Sequence, residues 1–340
     1  MWSELQCSSV SEGAYIYLKN YQELMNEIIT NGEKKMDRTG TGTLSITGAT
    51  LRYDMSEGLP LVTTKKTAFR LILTELLWFL RGDTNIRFLL ENRNYIWVEW
   101  PLQKWIKSAE FKQEFPDLDM TDYTLRIAED SCLREQYESI YKIFCDRIVG
   151  DADFAEKWGD CGRAYGAQWR KAFYVNPDTL SVSEHDQLQA VFNELKANPT
   201  SRRLVVSSFN PDNVLHAVLP CCHHQFQLVT RENKLDLIFD MRSTDVFAGL
   251  PFNLASYGIL LMLIAAMAGF EPGELIYHGK DVHIYSNQLE QVNEQLKREP
   301  YPLPKLHIKT VRDNFEEYTV DDFELLDYQH HPRLRAPIAI

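Results

Sequence analysis

The chain has 340 residues, of which 44% are hydrophobic and 25% charged, the balance of a folded globular protein. Its formal net charge of −12 excludes a general DNA or RNA binder, which needs a basic face, but leaves room for a local basic pocket around a small anion. The six cysteines (7, 132, 145, 161, 221 and 222) have no disulfide-framework spacing. Residues 1–13 show no basic stretch leading into an apolar core, so reduced thiols and a cytoplasmic location are the expectation.

Residues 15–30 carry apolar side chains at helical spacing and stop at Asn31-Gly32. Residues 33–43 are charged and Gly-rich, read as a mobile loop, and carry Arg38. Residues 44–53 alternate as a strand before a turn at 56–58, and 61–64 read as a short strand. Residues 68–80 form a helical pattern with Glu75 beside its apolar stripe, and Gly82-Asp83-Thr84 ends it and caps the next helix. After the aromatic run 96–100, residues 101–158 are heavily charged with a helical pattern and read as a small inserted subdomain. Residues 183–197 read as an amphipathic helix capped by Ser183, 204–209 as a strand, and 226–230 with 235–241 as a pair of strands. Residues 253–270 are apolar nearly all round, which predicts the central buried helix and not a bilayer span. A strand at 275–285, a helix at 288–297 and strands at 306–311 and 323–328 complete the chain. The expected fold class is α+β, a single domain over 1–340 around a mostly antiparallel or mixed sheet.

Cys221-Cys222-His223-His224 admits three readings: core packing, metal ligation or a nucleophilic thiol. Adjacent strand residues point to opposite faces, so these four cannot converge on one tetrahedral ion, and no metal is expected. Local sequence does not choose between the two thiols. Arg202-Arg203 precedes a predicted strand, Arg242-Ser243 follows one, and Arg38 lies in the Gly-Thr loop. Arginine offers planar, multiple donors to phosphate, and a nearby positive charge lowers a thiol pKa from about 8.5; the plain alternative is a solvated surface arginine. Asn253 at a helix start is either an N-cap or an amide able to read a base edge. Trp97, Trp100, Tyr165 and Phe252 suit a stacking wall or an aromatic core. His283 and Tyr285, two apart on a strand, share a face.

The segments DRTGTGT (37–43), PLVTTKK (60–66), ELLWFLRGDTN (75–85), IWVEW (96–100), AYGAQWR (164–170), SRRLVVS (201–207), LPCCH (219–223), RSTDVFAGLPFN (242–253), DVHIYSN (281–287) and APIAI (336–340) occur in this order. Together they resemble the folate-dependent thymidylate synthase family from about residue 21 to residue 340, and 101–158 resembles the insertion of its longer members. The resemblance selects Cys222, followed by His223 with Gln227 five residues on, as the nucleophile and leaves Cys221 to packing. It implies addition of the Cys222 thiolate to carbon 6 of dUMP, with 5,10-methylenetetrahydrofolate as co-substrate and dTMP and dihydrofolate as products. The implied catalytic set is Cys222, Glu75, Tyr165, Arg242, Asn253 and Asp245. Arg38, Arg242 and Ser243 would hold the phosphate, Asp245 and Asn253 the base, and His283 with Tyr285 the sugar. Arg202 and Arg203 would reach the phosphate of the other subunit of a homodimer. Glu75, Ile96, Trp97, Trp100, Asp245, Gly249, Phe252 and Ile340 would line the folate site.

The sequence departs from the family pattern at Ala68, His224, Gln225, Met241, Ala248 and Lys280, positions that bear on ligand affinity more than on chemistry. A dUMP hydroxymethylase on the same scaffold is the nearest alternative. Asn253 argues against its cytosine-specific form, which resembles this chain but with Asp there. A non-enzymatic RNA-binding regulator fits the acidic charge poorly.

Overall fold

A computed structural model describes residues 16–18, 20–37, 40–120, 131–211 and 217–336. Arg38 and Ile340, both expected at the site, lie outside the described residues. The strands are β1 (Ile16–Leu18), β2 (Glu33–Lys35), β3 (Thr43–Asp54), β4 (Ala172–Val175), β5 (Val182–His185), β6 (Val205–Ser207), β7 (His223–Arg231), β8 (Lys234–Asp245), β9 (Glu271–Tyr285), β10 (Lys305–Ile308) and β11 (Phe323–Leu326).

Seven of them form one mixed sheet in the order β1-β3-β9-β8-β7-β6, with β2 also paired to β3. The pairs β1–β3 and β8–β9 are parallel and the others antiparallel. This is the expected α+β class. The β7–β8 hairpin turns through Glu232-Asn233, with Glu232 at φ 54°. Parallel neighbours cannot be joined by so short a turn, and the chain crosses from β8 to β9 through the apolar helix Leu250–Ala268. That helix is long and apolar enough to cross a membrane by composition, but it is mostly buried inside the fold. Alternation along β8 turns Leu235, Leu237, Phe239 and Met241 inward, and Phe239 stacks on Tyr257 of the crossover helix at 4.2 Å and 13°. The helix Phe69–Leu80 packs on the same crossover helix, which places Glu75 near the end of the sheet that carries the cysteines.

Several expected elements differ. The first helix is Tyr21–Asn31, not 15–30, because Asn20 caps it by accepting the Glu23 N–H at 2.9 Å. Part of the expected loop 33–43 is strand β2, paired to the start of β3. Residues 61–64 are buried but form no strand. Their backbone is bonded piecemeal: the Thr63 carbonyl accepts from His331 N–H, and the Val62 carbonyl accepts from the Tyr328 hydroxyl. Neither Asp83 nor Thr84 caps the helix Arg87–Glu91: its cap position is Ile86, and Asn85 Oδ1 just before it accepts the Arg87 N–H at 3.0 Å. Residues 182–185 are strand β5, paired to β4, and the next helix, Gln187–Ala197, is capped by Asp186 instead of Ser183. The last two strands are shorter than expected and pair with each other as a separate sheet. Where described, the stretch 101–158 is helical: Glu99–Ile106, Ala109–Glu114, Ser131–Gly150 and Ala152–Trp158. Trp105, Phe111, Phe144 and Phe154 pack together at its centre.

Candidate active site

Cys221 and Cys222 immediately precede β7, and the four residues of the Cys-Cys-His-His run diverge. The buried Cys221 Sγ accepts the Tyr165 N–H at 3.2 Å. Cys222 is half-buried, and its Sγ lies 4.0 Å from Arg242 Nη2. His223 turns inward to the Tyr257 hydroxyl at 2.9 Å, and His224 Nδ1 meets the Asp240 carbonyl at 2.9 Å. Burial holds His223 neutral, with its pKa pushed down to about 3. Among the described residues no group of three His, Cys, Asp or Glu could hold a metal.

The two thiols therefore sit in different surroundings. Burial pushes Cys221 up to about 11, so it is an inert thiol near neutral pH. Cys222 faces a guanidinium fixed from behind: Arg242 Nε donates to the Cys221 carbonyl at 2.8 Å and Nη2 to the Pro220 carbonyl at 2.9 Å. The Arg242 N–H in turn donates to the Cys222 carbonyl at 2.9 Å. A fixed cation beside a thiol favours the thiolate.

Tyr165 ties this centre to the helix Phe69–Leu80. Its hydroxyl accepts the Cys222 N–H at 2.8 Å. Its ring stacks on Phe79 at 5.1 Å and lies 4.1 Å from the His223 ring. Tyr165 adopts φ 45°, ψ −107°, an unusual conformation for a non-glycine residue that costs of order 1–3 kcal/mol and persists only where surroundings enforce it. The next residue packs directly on the helix Phe69–Leu80. A Cβ on Gly166 would collide with the Phe79 backbone, so only glycine allows this approach. Beyond Tyr165, the Trp97 ring follows at 5.9 Å and Trp100 lies 5.3 Å from Trp97. The Trp97 indole N–H donates to Glu75 Oε1 at 2.6 Å. Glu75 keeps a partly exposed edge, yet burial pushes its carboxyl up to about 7 against the opposing Trp97 hydrogen bond. It can exchange a proton near neutral pH.

A second group lies along the ends of β8 and β9. Asp245 pairs in register with His283, and Ser243 with Asp281. Asp245 accepts from the Ala248 N–H at 2.9 Å and from Gln288 Nε2 at 3.0 Å. His283 Nδ1 lies 3.2 Å from Asp281, and its ring meets Tyr285 edge-on at 5.1 Å. The crossover helix starts at Leu250 with Gly249 in the cap position, so Asn253 lies inside its first turn and is not the N-cap. The Asn253 side-chain amide makes no hydrogen bond among the described residues. Ile96, Trp100 and Phe252 are half-buried against the core, with part of each side chain facing solvent.

Arg202 and Arg203 are not brought to Cys222 within this chain; both are exposed just before β6. Two residues escaped sequence reasoning. Lys65 is buried, with Nζ donating to the Phe247 carbonyl at 2.5 Å and lying 3.4 Å over the Phe247 ring. Burial pushes it down to about 7, opposed by the charge of Asp245. Its only sequence signal is a lysine ending a buried run. Gln288 is fully buried and joins Asp245 to the Tyr285 N–H; nothing in the sequence sets it apart from any residue opening a helix.

The thymidylate synthase family model matches residues 19–340. The chain is 44% identical over 322 residues to a thymidylate synthase of Oenococcus oeni, covering 95% of this chain and 98% of that one. It is 43% identical over 323 residues to a thymidylate synthase of Listeria monocytogenes, covering 95% and 100%. The chain belongs to the thymidylate synthase family. It is an enzyme of the methyltransferase class.

The departures from the family pattern have physical places in the fold. Met241 is 2% exposed in the core under the sheet. Ala248 keeps its backbone bond to Asp245. Ala68 is exposed before the helix Phe69–Leu80 and provides no side-chain cap. His224, Gln225 and Lys280 converge on Asp240: Gln225 donates at 3.2 Å and Lys280 forms an ion pair with the same carboxylate. Burial raises the Asp240 carboxyl, but hydrogen bonds from His278, Lys280 and Gln225 outweigh it and hold the pKa well below the ordinary range.

Proposed function

We propose that this family member carries out the reductive methylation of dUMP to dTMP with 5,10-methylenetetrahydrofolate, yielding dihydrofolate. The observation that carries this reading is the asymmetry of the two thiols: Cys222 faces Arg242, whereas Cys221 is buried and accepts the Tyr165 N–H. In this reading the Cys222 thiolate adds to carbon 6 of the uracil ring, which makes carbon 5 nucleophilic. Arg242 and Ser243, with Arg38, take the phosphate. The Asn253 amide offers a donor and an acceptor to the uracil edge, with Asp245 beside it. His283 and Tyr285 take the sugar. Tyr165 stands near the carbon-5 proton, and Glu75 moves protons near neutral pH.

The residues present suit the folate. Trp97, Trp100 and Phe252 offer aromatic surface and Ile96 aliphatic surface to its ring system, with Asp245, Gly249 and Glu75 at the edge; the resemblance adds Ile340, which lies outside the described residues. When bound, it supplies the one-carbon unit and the hydride. The exposed Arg202 and Arg203 suit donation to the phosphate site of a second copy in a homodimer. We read residues 101–158 as an inserted helical subdomain and the enzyme as cytoplasmic, with no metal and no nucleic-acid role.

The test is incubation with dUMP and methylenetetrahydrofolate. The reading expects dTMP and dihydrofolate in equal amounts, followed by the rise in absorbance. Hydroxymethyl-dUMP without dihydrofolate would replace it with the hydroxymethylase.

A further inference from the structure

The helix Glu99–Ile106 begins two residues after Trp97 and carries Trp100. It is gripped at both ends by one long helix from the charged region, Ser131–Gly150. At its C-terminal end Trp105 packs on Phe144, ring centroids 5.5 Å apart. At its N-terminal end the Tyr137 hydroxyl donates to Glu99 Oε2 at 2.5 Å. Both partners are half-buried, so the bond forms where water competes poorly and the carboxylate makes it charge-assisted. Burial, then the Glu99 carboxylate, raises the Tyr137 pKa, so the hydroxyl stays a donor across the neutral range.

Trp97 and Trp100 lie at 5.3 Å from each other, and Trp97 holds Glu75 through a 2.6 Å bond. Glu99 sits between these two tryptophans in sequence. The anchoring of Glu99 therefore bears on the Trp97–Trp100 contact. Trp105–Phe144 packing and the buried Val98 and Leu102 hold the apolar side of the helix, and Tyr137–Glu99 adds a polar tie at its first turn.

We propose that Tyr137 is a positioning residue for folate: by clamping Glu99, the helix Ser131–Gly150 sets the Trp97–Trp100 wall and gives the charged region 101–158 a part in co-substrate binding. This rests on the folate reading above. The clamp touches neither Cys222 nor the groups assigned to dUMP, so it separates the two substrates.

The test is steady-state kinetics of Tyr137→Phe, Glu99→Gln and Glu99→Leu, with thermal melts alongside. Tyr137→Phe should raise KM for methylenetetrahydrofolate about five- to tenfold, a part of the worth of one charge-assisted hydrogen bond, with kcat and KM for dUMP within about twofold. Glu99→Leu should match it, and Glu99→Gln, whose amide oxygen still accepts from the tyrosine, should stay near wild type. Folate KM unchanged in Tyr137→Phe overturns the proposal, as does an equal rise in both KM values or a Glu99→Gln as impaired as Glu99→Leu. A wild-type enzyme that consumes no folate overturns the activity reading and this proposal with it. Normal wild-type turnover beside an unaffected Tyr137→Phe overturns this proposal alone.

Discussion

Tyr165 holds Cys222 through its hydroxyl, which accepts the Cys222 N–H at 2.8 Å, while its own N–H donates to the neighbouring Cys221 Sγ at 3.2 Å. One residue thus fixes both thiols, from opposite ends of its structure. Removing the hydroxyl should leave Cys221 in place and release Cys222. Tyr165→Phe leaves a poorly solvated N–H without its acceptor, a cost of about 1–3 kcal/mol. We expect kcat to fall about five- to hundredfold, as most of that cost appears in the transition state, with dUMP binding changed only a few-fold. Equilibrium binding of dUMP measured beside kcat separates these effects. An equal loss in both would mean that Tyr165 serves binding and not the placement of the thiol.

Glu75 makes the enzyme's stability depend on pH. Its folded pKa, raised by burial to about 7, lies above the unfolded value of 4.5. At low pH both states are protonated and nothing is lost. As pH rises past 4.5 the unfolded state ionises first, so stability falls until the folded carboxyl also ionises near 7. Glu75→Gln escapes this loss. Its stability relative to wild type should grow by about 2–3 kcal/mol between pH 5 and pH 8, measured by urea unfolding at the two pH values. A constant difference would place Glu75 in a more polar setting than its packing against Trp97 indicates.

Gly166 is a structural requirement of the same centre, since a Cβ there collides with the Phe79 backbone. Gly166→Ala should cost about 1–3 kcal/mol, as overpacking of a close contact does, and should lower activity by moving Tyr165. Chemical unfolding and turnover of the variant check this. A stable, active Gly166→Ala would show that residue 166 moves away from the helix Phe69–Leu80 without disturbing the thiol.

Asn253→Asp exchanges the side-chain amide for a carboxyl group, whose protonated and ionised forms offer a different donor and acceptor pattern. Preference should shift from dUMP toward dCMP, read as the ratio of kcat/KM for the two nucleotides. An unchanged ratio would remove Asn253 from base reading.

Much of this was legible in the sequence because short motifs name residues whose neighbours are fixed locally. Arg242, expected just after a strand, lies within the last residues of β8, and Asn253, expected at a helix start, lies one turn into the crossover helix. What escaped was decided by distant chain. Residues 61–64 look like a strand, but their carbonyls are taken by Tyr328 and His331, more than 260 residues on. Ser183 looks like a cap until β4 claims it for a ladder and Asp186 takes the helix end. His224, Gln225 and Lys280 look like three unrelated departures; only the sheet register brings them to one residue, Asp240, His224 at its backbone carbonyl and the other two at its carboxylate. The resemblance alone selects between the two thiols in the sequence; the difference in their surroundings, burial of Cys221 and a guanidinium beside Cys222, needs the fold.

The central claim is that Cys222, and not Cys221, is the nucleophile. The most direct test is dUMP turnover by Cys222→Ser and Cys221→Ser under identical conditions, with both variants shown to be folded. We expect Cys222→Ser to lose all measurable turnover and Cys221→Ser to keep most of it. Turnover retained in Cys222→Ser and lost in Cys221→Ser would contradict the account.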